Sequence, residues 1–78
     1  MTDVAKRLDL SGVTCPMNFV KTKIALDSLD QGDVLEVVLD EGDPISNVPR
    51  SLKEEGHRVL KVIPHGETFI VHVEKGRV

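Results

Sequence analysis

Val13-Thr14-Cys15-Pro16-Met17-Asn18 is the stretch on which the fold is read. Before it, Arg7-Leu8-Asp9-Leu10 alternates polar and apolar residues, the pattern of a half-buried strand, and Ser11-Gly12 ends that strand. After it the apolar residues recur with helical spacing. Proline suits the first helical position, where its fixed φ fits and its missing N–H would be unpaired in any case. The order strand, turn, Cys-Pro, helix therefore predicts Cys15 as the N-cap and Pro16 as the first helical residue. A sulfur so placed lies over the unpaired amides and positive dipole end of a helix, which favours thiolate over thiol. The helix contributes up to ~2 kcal/mol, so the thiol pKa is expected to fall modestly, by roughly one unit at most.

Working outward, the helix is expected to reach about Asp30, where Gln31-Gly32 stops it. At about 100° per residue, Phe19, Thr22, Ala25, Leu26 and Leu29 share a core-facing stripe. Met17, Val20 and Ile24 form a second apolar stripe nearly opposite. Asp33 to Asp40 reads as the strongest strand, with Leu35, Val37 and Leu39 on one face. An acidic loop follows, Asp40-Glu41-Gly42-Asp43. Asp43 is then expected as the N-cap of a second helix with Pro44 in its first turn. Pro49 cannot sit in a helix without losing a hydrogen bond and clashing. The expectation is a short turn over 44–47 and a restart at Pro49 running to Glu55, with Gly56 as left-handed terminator. Arg58 to Pro64 and Thr68 to Glu74 read as strands joined by a hairpin at His65-Gly66-Glu67. The order is βαβαββ, with right-handed crossovers that put both helices on one face of a four-stranded sheet. The expected class is α+β, a two-layer α/β sandwich. It is read as a single domain over 1–78, with 1–6 and 75–78 as loose tails.

The chain has 78 residues, 40% apolar, with neither Trp nor Tyr, so aliphatic side chains must supply the core. A net charge of −3 gives no basic footprint for nucleic acid. The single cysteine excludes an internal disulfide and a cysteine-cluster zinc site. The N-terminus lacks the apolar core of a signal peptide, and no apolar run is long enough for a membrane span. A soluble cytoplasmic protein is expected, with no metal and no cofactor, since neither a ligand cluster nor a glycine-rich phosphate loop is present.

A buried filler cysteine would not be expected between a strand and a proline-started helix, at the carboxyl end of a parallel strand where open α/β sheets place their ligands. A hydrolase would need a base beside the sulfur. His57 should lie at the opposite end of the domain, His65 at a hairpin tip and His72 on a strand, each as an ordinary surface histidine. Such a thiol suits sulfur transfer better than hydrolysis, a carrier rather than a stand-alone multiple-turnover enzyme.

At Cys15-Pro16-Met17-Asn18 the sequence resembles the TusA/SirA family of small sulfur-transfer proteins, marked by Cys-Pro-x-Pro at the start of the first helix. The likeness extends over Leu8-Asp9-Leu10-Ser11-Gly12, Gly32-Asp33-Val34-Leu35, Asp43-Pro44 and Val48-Pro49. It implies a sheet of order 1-2-4-3 with the last strand antiparallel. It also implies persulfide relay from a cysteine desulfurase or rhodanese-like donor to an acceptor protein. Carried over, Cys15 bears the persulfide and Pro16 positions it; Gly12 and Asn18 are expected, from their places beside the motif, as further positioning residues. Asn18 departs from the motif's second proline and restores an N–H, which is expected to donate to the Cys15 sulfur.

Met17, Val20 and Ile24, with Lys21 beside them, are expected to form a partner-docking patch next to the thiol. Two rivals differ in class. A regulatory or nucleic-acid-binding module of the same fold would need a basic face. A thiol redox sensor usually needs a resolving cysteine. The sequence assigns no oligomeric state.

Overall fold

The computed structural model describes residues 4–14 and 17–76. The elements are β1 (Val4–Asp9), α1 (Met17–Asp27), β2 (Val34–Asp40), α2 (Asp43–Glu54), β3 (Arg58–His65) and β4 (Thr68–Glu74). One four-stranded sheet has the order β1-β2-β4-β3, with β1 parallel to β2 and β4 antiparallel to both of its neighbours. The two helices touch each other and both pack on β2, α1 reaching β1 and α2 reaching β3. They therefore share one face, as the βαβαββ order implies.

The core lies between these layers. Leu35, Val37 and Leu39 of β2 alternate inward and pair with Val73, Val71 and Phe69 of β4. Ala25 and Leu26 cover them from α1, Val48 and Leu52 from α2, and Leu10 closes the end beyond β1. Phe19, Leu29 and Ile45 pack half-buried against this cluster. No helix among the described residues is long and apolar enough to cross a membrane.

Four differences from the sequence reading have physical causes. First, α2 is continuous through Pro49 and its N-cap is Gly42, with Asp43 and Pro44 already inside the first turn. Pro49 removes one backbone hydrogen bond, but Ile45, Val48 and Leu52 keep the helix packed on both sides of it. Second, β1 begins at Val4, so residues 4–6 are strand rather than tail. Third, the other tail is pinned as far as Gly76. Lys75 N–H donates to the Asp33 carbonyl (2.8 Å), Gly32 N–H to the Lys75 carbonyl (2.9 Å), and Gly76 N–H to His57 Nδ1 (3.1 Å). Fourth, a register shift between Val59 and Lys61 sets Val59 opposite Val73 and Val62 opposite Val71, breaking the simple alternation expected for β3. β3 is an edge strand, which is where Pro64 is tolerated. The turn between β3 and β4 is Gly66-Glu67, with Gly66 at φ 63°.

Candidate functional site

The turn leading into Cys15 is built from the ends of the two parallel strands. Leu10 N–H donates to the Val38 carbonyl (3.0 Å), holding the chain in register one residue past β1. Val13 N–H then donates back to the Leu10 carbonyl (3.0 Å). This closes a β-turn with Gly12 third, at φ 79°, the positive value that a type II turn asks for at that position. Asp9 Oδ1 accepts the Ser11 backbone N–H (2.9 Å) and the Ser11 hydroxyl (2.7 Å). The hydroxyl first, and then the amide, hold the Asp9 carboxyl below its ordinary pKa. Asp40, at the end of β2, accepts the Gly12 N–H on Oδ2 at 2.7 Å. Two carboxylates from neighbouring strands thus pin the turn.

Cys15 and Pro16 lie outside the described residues, as does the N-cap geometry expected of them. The helix entry is defined by their neighbours. Asn18 N–H donates to the Thr14 carbonyl at 3.2 Å, a helical bond that spans the motif. This backbone donor, expected to serve the sulfur, is therefore committed to Thr14. The Asn18 side chain is fully buried, its Oδ1 accepting the Phe19 N–H (2.7 Å). The Thr22 hydroxyl donates to the Asn18 carbonyl (2.7 Å) and ties down the same turn. Asn18 Nδ2 has no partner among the described residues.

Beside this turn is a cleft of about 390 Å³, lined by Gly12, Val13, Thr14, Asp40, Glu41, Asp43 and Pro44. Its three carboxylates enter no ion pair among the described residues. The structure thus brings the acidic segment between β2 and α2 against the segment that precedes Cys15. On α1, Met17, Val20 and Ile24 are 48%, 38% and 63% exposed, so this stripe faces solvent and no described loop covers it. Lys21 is exposed beside it, whereas Lys23 bridges to Glu55 of α2 at 3.3 Å.

The histidines differ from the sequence reading. His65 is exposed at the hairpin, but His57 and His72 are buried, at 6% and 7%. His57 sits under the C-terminal segment, its Nδ1 accepting the Gly76 N–H. Burial, and then the nearby Lys75 ammonium, push its pKa below the ordinary imidazole value, against the pull of Glu55 and Asp27. His72 pairs with Glu36 Oε1 at 3.0 Å, and Glu36 Oε2 in turn holds Arg7 Nε at 3.0 Å. Both Glu36 and His72 alternate with the core-facing residues of β2 and β4, on the helix-free side of the sheet. The Asp9–Ser11 turn had a signal, an Asp two residues before a Ser ahead of a Gly. Nothing local signalled the bond from Asp40 to Gly12 or the burial of Asn18.

A family model described as Sulfurtransferase TusA matches residues 6–75. A candidate sulfur carrier protein of Archaeoglobus fulgidus is 42% identical over 60 residues, covering 77% of this chain and 68% of that protein. One from Methanocaldococcus jannaschii is 33% identical over 75 residues, covering 96% and 100%. The Escherichia coli K12 protein YedF, named in the same way, is 36% identical over 69 residues, covering 88% and 90%. The matched span runs from within β1 to the segment that closes over His57, so fold and motif are matched together, and the chain belongs to the TusA sulfurtransferase family.

Proposed function

We propose that this chain is a sulfur carrier in which Cys15 cycles between thiol and persulfide. The observation that carries the reading is the family match across residues 6–75, with Cys15 inside it two residues ahead of α1 in the sequence. In the loading step the Cys15 thiolate attacks the terminal sulfur of a persulfide on a donor protein, a cysteine desulfurase or a rhodanese-like enzyme. A new S–S bond forms on Cys15, the donor's S–S bond breaks, and the donor cysteine leaves as thiolate. The same exchange, run onto an acceptor protein's thiol, unloads the carrier with no net oxidation.

The pinned turn supports this reading, because a relay must present one sulfur in a reproducible place to two partners. The solvent-facing Met17, Val20 and Ile24, with Lys21, supply the docking patch, apolar and adaptable through Met17. His57 and His72 are held by Gly76 and Glu36, which fits a carrier that relies on its partners for proton transfer. A single cysteine without an internal partner suits a reducing compartment such as the cytoplasm.

Intact-mass spectrometry after incubation with a cysteine desulfurase and cysteine tests the reading. The expected result is the gain of one sulfur atom, absent in Cys15→Ser. No gain with either a desulfurase or a rhodanese charged with thiosulfate would overturn it. For the docking patch, Val20→Asp is expected to block transfer from the donor protein while leaving loading by inorganic polysulfide intact.

A further inference from the structure

Beyond β4 the chain stays bound to the fold. Lys75 extends the pairing with the segment ahead of β2, its N–H donating to the Asp33 carbonyl and its carbonyl accepting the Gly32 N–H. Gly76 then crosses to the turn between α2 and β3, where its N–H donates to His57 Nδ1 at 3.1 Å. A Cβ at residue 76 would collide with the Gly56 carbonyl, so the segment lies directly on that turn. His57 and Lys75 are both buried beneath this contact.

The bond to His57 sets a condition on the ring. A backbone N–H can only donate, so Nδ1 must be the bare nitrogen of a neutral imidazole whose proton is on Nε2. Protonation puts an N–H on Nδ1 as well, two donors then face each other, and the bond is lost. The new charge also finds no free counter-ion among the described residues. Four charged groups face His57: Lys75 from the segment itself, Glu55 at the end of α2, and Lys23 and Asp27 from α1. Glu55 is engaged by Lys23 at 3.3 Å, and Asp27 by Lys75 at 3.7 Å. A charged His57 therefore lies beside the buried Lys75 ammonium, with both carboxylates already shared.

We propose that Lys75 and Gly76 form a proton-operated strap, closed over neutral His57 and released, from Gly76 back to Lys75, when the ring takes up a proton. The rest of the fold stays in place. Leu10 and Gly12 are held at the other end of β2, by Val38 and Asp40, and neither bond involves His57. No part of the device depends on sulfur chemistry.

Backbone order parameters from nitrogen-15 relaxation, measured on the full chain from pH 7.5 to 4.5, test the strap. The His57 ring is titrated in the same samples through its carbon-bound protons. At neutral pH the Lys75 and Gly76 amides are expected near the rigid value of about 0.85, falling below about 0.6 with the midpoint of the His57 ring. Leu10 is expected to keep its value throughout. His57→Gln retains an acceptor for Gly76 and cannot titrate, so its order parameters are expected to stay level across this range. Lys75→Met removes the facing cation but keeps an unbranched apolar side chain, so the ring and strap midpoints are expected to rise together. The strap is overturned by a Gly76 amide that stays rigid after the ring has titrated, by a His57→Gln chain that loosens with the parent's profile, or by an equal fall at Leu10. The parent's own titration needs no substitution, so it decides the outcome should neither variant fold.

Discussion

Asp40→Ala should loosen the turn before Cys15 without loosening the fold. In the native protein Asp40 Oδ2 accepts the Gly12 N–H at 2.7 Å, across 28 residues of sequence. A hydrogen bond with one charged partner contributes about 1.5–3 kcal/mol, and solvent exposure brings this one down to ~1 kcal/mol. The same energy corresponds to about fivefold faster opening of the amide. Native-state hydrogen exchange read by NMR at Gly12 isolates the effect. Leu10 N–H, bonded to the Val38 carbonyl one turn earlier, serves as the internal control and should be unchanged. Asp40→Asn keeps an acceptor oxygen but loses its charge, and should accelerate Gly12 by about twofold. Equal acceleration at Gly12 and Leu10 would show a global effect. Unchanged exchange at Gly12 would show that the carboxylate does not hold the turn. Either result refutes the reasoning.

Three further outcomes follow from other parts of the molecule. Glu36→Leu leaves the buried His72 without its only side-chain partner among the described residues and should destabilise by about 1–3 kcal/mol in urea unfolding, yet by far less when His72→Leu is already present; additive effects would mean that the pair is not coupled. Because the His57 pKa is lowered in the folded state, the unfolded chain binds the extra proton first, so the contribution of this group is complete above about pH 6.5 and is lost as the pH falls through the folded value. Melting temperatures measured from pH 7.5 to 5 should therefore fall more steeply for the parent protein than for His57→Gln, which keeps an acceptor for Gly76; parallel profiles would refute this. Gly76→Ala places a methyl against the Gly56 carbonyl and the His57 Cα, and should destabilise by about 1–3 kcal/mol through overpacking, read as a drop in melting temperature that a freely hanging tail would not show.

The sequence by itself determined the order of the elements, the hairpin after β3, the exposed stripe of Met17, Val20 and Ile24, and the helix stop at Gly56, which takes φ 97°. These follow from local rules, namely periodicity, the φ freedom of glycine and the restriction of proline, and local rules are written in neighbouring residues. What only the tertiary structure decided lies in contacts between distant residues. Pro49 reads locally as a break, but packing on the sheet carries α2 through it. His57 and His72 read as surface residues, until partners 19 and 36 positions away bury them. The buried amide of Asn18 and the grip of Asp40 on Gly12 belong to this second group, because strand register and helix docking, rather than any nearby residue, place those atoms.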